Sequence, residues 1–243
     1  MKLNILHLYP ELMSLYGEYA NLAVLQRRLE AVGVTVTIHC AGCDDTPEFS
    51  AADMIYMGAG TERSQKAVLA CLRPHASAMK EAVERGAVVL FTGNAMALLG
   101  KTIIDADGKK WEGLSFADFT TTESDKRIGE DVIAKPTLWS ADAVGFMNKC
   151  SVTRGITTPL FSALPLGYGN ESEGGAEGYV SGNVFATHIT GPVLVKNPAF
   201  TDLMIRCLFE EKGWTLPDSL PRLPHEQEAY DVTARELTAR IKK

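Results

Sequence analysis

The sequence lacks the features that mark membrane, secreted and nucleic-acid-binding proteins. No apolar run approaches the roughly 20 residues that a transmembrane helix needs, and the apolar start Met1–Leu8 is too short for a secretory signal. A net charge of −6 and the absence of a basic block argue against nucleic acid or an anionic membrane surface as partners. Five scattered cysteines, an odd number, predict reduced thiols and no disulfide framework. These absences favour a cytoplasmic protein.

Signatures of nucleotide and metal cofactors are missing as well. Gly58-Ala59-Gly60 follows an apolar run, but neither a full dinucleotide fingerprint nor a phosphate-binding Gly-Lys-Ser/Thr loop is present. Cys40 and Cys43 have the spacing of a redox or zinc pair, yet no second pair completes a metal site. We therefore expect no cofactor and no metal ion, and we interpret these two cysteines as incidental thiols.

The first hundred residues alternate strand patterns with helix patterns. Short apolar runs rich in β-branched residues are separated by stretches whose apolar residues recur with helical periodicity. Strands that alternate with helices at this spacing form right-handed βαβ units around a parallel sheet. The predicted strands are Lys2–Leu8, Val34–Cys40, Asp53–Met57 and Val88–Phe91, and the predicted helices are Asn21–Val32, Glu62–Leu72 and His75–Glu84.

The pattern changes after Gly100. A hairpin turn is predicted at Asp107-Gly108, and threonine- and isoleucine-rich strands at Phe116–Thr122 and Arg127–Ala134. Short strands and glycine-rich turns continue to about residue 182. This texture predicts antiparallel strands at the edge of the parallel sheet.

The end of the chain divides into a closing helix and a tail. Asn183–His188 resembles a buried strand, and apolar residues from Phe200 to Leu208 predict a helix that ends at Gly213. Three prolines then precede an amphipathic stretch from Glu226 to Lys243. We predict a main domain over residues 1–213 and a C-terminal segment over residues 214–243 that packs on it or on a partner.

The stretch FTGNAMALLG, Phe91 to Gly100, has the form of a nucleophile elbow without a nucleophile. A buried strand, a glycine turn and a helix start are how many α/β enzymes present a catalytic serine or cysteine. The apex here holds Thr92, Gly93 and Asn94. Because ligands bind beyond the carboxyl ends of parallel strands, the site is expected among the turns that gather there. Those turns are His7–Gly17, Met57–Ser64, Thr92–Ala97 and Ala186–Pro192.

Several of these turns also carry a family resemblance. The relevant stretches are LYPEL and LYGE within residues 8–18, GAGTERSQ at 58–65, VGFMN at 144–148, GYGN at 167–170 and GPVLVKNP at 191–198. On them the chain resembles the class I glutamine amidotransferases of the cobyric acid synthase type, and among these the glutaminase subunits of lipid II isoglutaminyl synthases. The resemblance implies a three-layer α/β fold, with a flavodoxin-like parallel sheet and an antiparallel edge extension.

The resemblance also implies a reaction. In the family a cysteine on the elbow attacks the side-chain amide of glutamine, and a histidine on a later strand end acts as its base. Backbone N–H groups hold the oxyanion, and ammonia passes to a ligase partner. Anchored on Leu98-Leu99-Gly100, the cysteine position falls on Gly93, and the histidine position before Gly191-Pro192 falls on Thr190. Both members of the dyad are replaced.

Other residues offer substitutes or binding groups. Cys150 is the most plausible relocated thiol, and His188 is two residues before Thr190, where alternation would place both side chains on one face of a strand. Packing is the other interpretation of His188. The backbone of Gly58, Ala59 and Gly60 together with Asn94 could bind a carboxylate or amide, or form a plain turn. Arg127 matches a family position near the glutamine site and could bind an α-carboxylate or form a surface salt bridge.

Three functions therefore remain open. The first is a non-catalytic subunit that docks on a Mur-ligase-like partner, which uses ATP to amidate the glutamate of the peptidoglycan stem peptide. The second is an active glutamine amidohydrolase that uses displaced groups, with Cys150 and His188 as the candidates. The third is a stand-alone module that binds glutamine or a related amino acid.

Overall fold

Twelve strands and six helices make up the described part of the chain. The computed structural model describes residues 1–241. In chain order the elements are β1 Lys2–Leu8, α1 Tyr19–Glu30, β2 Thr35–Ala41, β3 Met54–Met57, α2 Glu62–Leu72, α3 Ala76–Glu84, β4 Val88–Thr92, β5 Thr102–Ile104, β6 Lys110–Glu112, β7 Thr120–Pro136, β8 Ala143–Arg154, β9 Phe161–Leu166, β10 Tyr179–Ser181, β11 Val184–Thr187, β12 Ile189–Thr190, α4 Val193–Lys196, α5 Pro198–Glu211 and α6 Glu226–Ile241.

A mostly parallel sheet forms the middle layer of the fold. Its strand order is β10-β11-β4-β3-β1-β2, and only β10 runs antiparallel to its neighbour. Met54 and Tyr56 of β3 belong to the core under α1 and α5, whereas Ile55 and Met57 belong to the core under α2 and α3. Burial on both faces explains why the central strands β3 and β4 have no polar alternation. The predicted α/β class and parallel core are confirmed.

The antiparallel extension is larger than the edge strands expected from the sequence. It forms a second sheet in the order β12-β8-β7-β5-β6, with β9 also paired to β7, and every pair is antiparallel except β5 with β7, which is parallel. Only β10 joins the parallel sheet as an antiparallel edge strand. The hairpin turn at Asp107-Gly108 lies between the antiparallel strands β5 and β6, and Gly108 has a φ of +83°, a conformation that favours glycine.

The two strands predicted at Phe116–Thr122 and Arg127–Ala134 are one long strand. β7 pairs with β8 along its length, but four residues, 124–127, bulge out between Glu123 and Ile128. The bulge lies opposite Cys150, and beyond it the ladder resumes with its register shifted, because Glu123 pairs with Ser151 whereas Ile128 pairs with Lys149. A charged and polar interruption of this kind has the sequence signature of a turn, and only pairing with β8 identifies it as a bulge.

Helix boundaries follow the local signals. The hydroxyl of Thr61 accepts a hydrogen bond from the Ser64 N–H at 3.0 Å and caps α2, whose bounds are those predicted. Pro74 lies in a short 3-10 turn, so α3 begins one residue later than predicted.

The C-terminal segment packs on the second sheet. Leu237 of α6 is buried with Ile133 and Val144, and the Tyr230 hydroxyl donates to the carbonyl of Asp142 at 2.7 Å. The division at residue 213/214 stays a prediction. Of the predicted amphipathic stretch, Lys242 and Lys243 lie outside the described residues.

The expectation of five free thiols is wrong for two cysteines. Cys43, in the loop after β2, forms a disulfide with Cys71 of α2, and the Cα atoms are 5.4 Å apart. The sequence predicted that Cys43 is an incidental thiol. A sequence separation of 28 hides the pairing, because only the packing of α2 beside the β2 loop brings the two cysteines together. Cys40, Cys150 and Cys207 are free.

Candidate functional site

The four segments predicted to form the site meet at the carboxyl ends of the parallel strands. The N–H of Leu15, after β1, donates to the carbonyl of Ala59, after β3, at 2.9 Å. Gly93, after β4, lies against both Ala59 and Thr190, the last residue of β12. Two positions that are 97 residues apart in the chain are thus direct neighbours.

The elbow has the backbone of a nucleophile turn. Thr92 is extended, with a φ of −117°, and Gly93 then takes a φ of +60° at the start of a 3-10 turn that runs to Leu99. Nucleophile elbows hold their apex residue in this kind of strained strand-to-helix turn. An L residue in this left-handed region costs roughly 1–2 kcal/mol more than glycine. Gly93 itself is buried.

No side chain fits at position 93. An ideally placed Cβ there would lie 2.5 Å from the Cβ of Ala59, 3.2 Å from its Cα and 3.0 Å from Cγ2 of Thr190. Non-bonded carbon atoms prefer a separation of about 3.5–4.0 Å, so the first contact is a severe overlap. Ala59 is 2% exposed and Thr190 is 1% exposed. The space beside the elbow is therefore filled by protein atoms.

The glycine loop, Gly58–Gly60, is packed tightly against the segment after β1. A Cβ on Gly58 would lie 2.7 Å from the carbonyl oxygen of Met13, and one on Gly60 would lie 2.6 Å from that of Leu12. These two glycines are required by the close approach of another backbone. The sequence left open whether this loop binds a ligand or forms a plain turn, and in the structure residues 12 and 13 pack directly against its two glycines.

Asn94 satisfies the end of the glycine loop. Its side-chain Oδ1 accepts from the Gly60 N–H at 2.9 Å, and its Nδ2 donates to the Gly60 carbonyl at 2.8 Å. The Gln65 side-chain amide donates to the Asn94 carbonyl in turn. Both polar groups of Gly60 are thus paired within the protein, which leaves its N–H occupied instead of free to hold an oxyanion.

A buried carboxyl group, Glu18, ties the two sides of the elbow together. Its carboxylate accepts from the Thr92 hydroxyl and, at 3.2 Å, from the Gly191 N–H. Asn21 and Tyr56 donate to the same carboxylate at 3.3 Å and 3.2 Å. Burial raises the pKa of Glu18 to about 7, although these hydrogen bonds oppose the rise. The residue before Gly93 and the residue after Thr190 are held by one group.

Arg127 is engaged by the protein. Its guanidinium donates to Glu62 at 2.8 Å and to the side chain of Asn148 at 3.0 Å. Asn148 in turn donates to the hydroxyl of Tyr16 at 2.8 Å. These partially exposed groups form a network across the bulge of β7, the start of α2 and the loop after β1. Of the two interpretations from the sequence, the salt bridge is the arrangement present.

Cys150 belongs to the same network and is a weak nucleophile there. Its thiol donates to Glu62 at 3.3 Å. Burial raises the pKa of Cys150 to about 11, and the hydrogen bond and negative charge of Glu62 add to the rise. At pH 7 such a thiol is ionised in about one molecule in 10⁴, and the thiolate is the reactive form. Burial acts to raise the pKa of Glu62, but the hydrogen bonds from Arg127, from its own backbone N–H and from Cys150, with the charge of Arg127, together outweigh burial and hold the pKa below its ordinary value.

His188 is fixed in the interior by Glu177. Its backbone N–H and ring Nδ1 contact Glu177 Oε1 at 2.8 Å and 3.1 Å, and its Nε2 has no hydrogen-bond partner among the described residues. Burial and the nearby Lys149 ammonium lower the pKa of His188. The alternation argument fails because β11 ends at Thr187 and β12, in the other sheet, begins at Ile189.

Sequence reasoning missed three residues of this region. Glu18 lies in one of the motifs that carry the family resemblance, but the sequence predicted no role for it. The sequence predicted no role for Glu177 either. Ala59 was a candidate only for its backbone N–H, not for its methyl group. A glutamate between a tyrosine-glycine turn and an apolar helix gives a weak signal for burial. The steric role of Ala59 depends on a neighbour 34 residues away and has no local signal.

Membrane and metal features are absent from residues 1–241. No helix there combines the length and apolar character of a membrane span. No group of three His, Cys, Asp or Glu side chains in those residues is placed to hold a metal ion.

Two curated relatives match most of the chain. It is 29% identical over 215 residues to the lipid II isoglutaminyl synthase (glutamine-hydrolyzing) subunit GatD of Staphylococcus aureus (strain N315), covering 87% of this chain and 86% of that protein. It is 27% identical over 217 residues to the corresponding GatD subunit of Streptococcus pneumoniae (strain ATCC BAA-255 / R6), covering 87% of this chain and 82% of that protein.

Solved structures and a family model agree on the fold. A glutamine amidotransferase from Thermotoga maritima superposes with a TM-score of 0.51 at 9% identity, over 99% of this chain and 94% of that one. Another glutamine amidotransferase gives 0.50 at 12% identity, over 84% and 98% of the two chains. The model of the CobB/CobQ-like glutamine amidotransferase domain matches residues 4–198. The chain therefore belongs to the CobB/CobQ-like glutamine amidotransferase family.

Proposed function

We propose that this chain is a glutamine amidotransferase-like subunit without glutaminase activity, which partners a Mur-ligase-like enzyme that amidates a peptidoglycan precursor. The likeness to two GatD subunits supports the role in peptidoglycan amidation. The absence of glutaminase activity is supported by the residues at the two dyad positions. Gly93 occupies the position of the family's cysteine, and Thr190 occupies that of its histidine.

One observation carries the loss of activity. Gly93 has the backbone of an elbow apex, yet a Cβ at that position would overlap the Cβ of Ala59 at 2.5 Å. A nucleophile needs a side chain at the apex and a cavity in front of it for the reacting carbon. Here the apex has no side chain and no cavity, and Asn94 pairs with the backbone N–H of Gly60.

Displaced groups do not replace the dyad. Burial, together with the hydrogen bond to Glu62 and its charge, outweighs the opposing charge of Arg127 and leaves Cys150 with a raised pKa, whereas reactive cysteines have a lowered one. His188 is pinned to Glu177 inside the protein. With Arg127 bound to Glu62, no observation favours the amino-acid-binding module either.

The first test is glutamine turnover. With the purified chain, glutamate is expected to form from glutamine no faster than in buffer alone. The Staphylococcus aureus relative, described as a glutamine-hydrolyzing subunit, serves as the positive control. Cys150→Ala should leave this background unchanged. Turnover by the chain that disappears in Cys150→Ala would show that it is an active amidohydrolase with a relocated thiol.

An exposed apolar surface fits the proposed protein partner. Four large apolar side chains that the fold leaves exposed fall within eight residues beside the site: Leu12 at 39%, Leu15 at 38%, Tyr16 at 42% and Tyr19 at 65%. Clustered apolar exposure of this kind marks interaction surfaces, and tyrosines are frequent anchors in them.

This surface gives a second, independent prediction. Tyr19→Asp should weaken co-purification with the Mur-ligase-like protein of the same organism by at least about tenfold, because a central interface aromatic contributes roughly 2 kcal/mol or more. Leu138→Asp is the matched control, since Leu138 is 47% exposed and lies in the turn between β7 and β8. Equal capture of both variants would place the partner elsewhere, and no capture of the unmodified chain would remove the partner from the proposal.

A further inference from the structure

Ala59 is the closest neighbour of the elbow apex. Its carbonyl accepts from the Leu15 N–H at 2.9 Å, and its side chain points at Gly93, where an ideal Cβ would lie 2.5 Å from the Ala59 Cβ. The next neighbour, Cγ2 of Thr190, is at 3.0 Å. The two contacts differ in kind as well as in distance. Rotation about χ1 would move the methyl group of Thr190 at the loss of the hydrogen bond from its hydroxyl to the Phe146 carbonyl at 3.1 Å, whereas a Cβ moves only with its backbone.

The backbone of the glycine loop cannot move away from Gly93 without breaking or compressing other contacts. A Cβ on Gly58 would meet the Met13 carbonyl at 2.7 Å, so residues of the β1 loop already press on this side. Gly60 is tied to the side chain of Asn94 by two hydrogen bonds of 2.9 Å and 2.8 Å. Ala59 therefore lies between two residues whose positions are fixed by their contacts, so its methyl group cannot move away from the elbow apex.

We propose that Ala59 is the residue that excludes any side chain from position 93. Ala59 closes the site independently of the replacement of the family's cysteine by Gly93. The meaning of this closure for catalysis rests on the proposed function, but the steric statement does not. Restoring a nucleophile then requires a change at Ala59 as well as at Gly93 and Thr190.

A double-mutant cycle on stability tests the steric statement. The four proteins are the unmodified chain, Gly93→Ala, Ala59→Gly and the double variant, each measured by thermal unfolding. The strain of an L residue at a φ of +60° is present in both backgrounds and cancels in the cycle. We expect Gly93→Ala to lower Tm by roughly 5 °C more with Ala59 in place than with glycine there, which corresponds to relief of an overpacked contact.

A matched cycle controls for nonspecific effects of removing a methyl group. Ala82→Gly removes a buried methyl from α3, which is not among the contacts of position 93. Its effect should add to that of Gly93→Ala. If the Ala59 cycle is also additive, the proposal is overturned.

Glutamine turnover separates this proposal from the proposed function. Gly93→Cys with Thr190→His should remain inactive, and addition of Ala59→Gly should give measurable glutamate release. Release by the two-site variant with Ala59 in place overturns the role of Ala59. Release by the unmodified chain would instead refute the proposed function, while the stability cycle would still decide whether Ala59 excludes a side chain.

Discussion

Replacing Arg28 by alanine should lower the free energy of unfolding by about 3–5 kcal/mol and release the C-terminal segment from the domain. Arg28 lies on α1 and is fully buried. Its guanidinium donates to the carbonyls of Pro221 and Pro198 at 3.0 Å and 3.3 Å, to Glu226 at 3.3 Å and to Asp202. One side chain therefore joins α1, the start of α5, the proline-containing tail and the start of α6.

The size of this effect follows from what alanine would leave behind. Glu226 is 8% exposed and would lose its cation, and the two carbonyls would lose their donors. An uncompensated buried charge costs more than the intact pair contributes. Lysine is not an adequate replacement, since a single ammonium cannot reach four acceptors spread around a planar fork.

Chemical denaturation and limited proteolysis measure the two parts of this prediction. Arg27→Ala is the control, because Arg27 is the preceding residue of the same helix and is exposed. We expect cleavage of Arg28→Ala in residues 214–225 under conditions that leave the control intact. Equal stability of the two variants within about 0.5 kcal/mol would show that the tail is held by α6 and the second sheet alone.

The parallel half of the fold could be predicted because its signals are local. The run Met54–Met57 has no charged residue and no polar alternation, so burial on both faces was expected. The helical periodicity of Glu62–Leu72 predicted both ends of α2, and Thr61 caps its start in the structure. The carboxyl-end rule then placed the four turns of the site together before any contact was known.

The parts that could not be predicted depend on distant pairs. The disulfide between Cys43 and Cys71 needs the packing of a helix against a loop. His188 was aligned with Thr190 as if on one strand, but the chain passes from one sheet to the other between them. The filled elbow depends on Ala59, whose methyl group acts only through a neighbour 34 residues away. Each case is a tertiary contact with no trace in the local pattern.

Glu18 should make the stability of this protein fall as the pH rises through neutrality. Burial raises its pKa to about 7 in the folded chain, against an ordinary value of 4.5. A raised carboxyl pKa means that the folded state binds the proton more tightly than the unfolded state does. Its contribution is therefore fully present below about pH 4.5 and is lost as the pH rises through 7, a loss of about 3 kcal/mol.

Other groups titrate nearby, so the prediction is a difference between two proteins. Burial lowers the pKa of His7 to about 4, and its contribution runs the other way, being present above pH 6.5 and lost as the pH falls through 4. Burial also lowers the pKa of Lys149 to about 8, which affects the profile only at higher pH. Subtracting the unmodified chain from Glu18→Gln between pH 5 and 8 removes both contributions.

The expected result is a slope in that difference. Glutamine is neutral throughout, so the stability of Glu18→Gln relative to the unmodified chain should rise by about 3 kcal/mol from pH 5 to pH 8. Glu84→Gln, on the exposed end of α3, is the control for the same substitution at a solvent-exposed position. A flat difference for Glu18→Gln would mean that the hydrogen bonds from Thr92, Tyr56 and Gly191 outweigh burial and keep this carboxylate ionised. A slope would instead show that the group joining Thr92 to Gly191 is held as a neutral acid, so that the two strands flanking the elbow are joined without a buried charge.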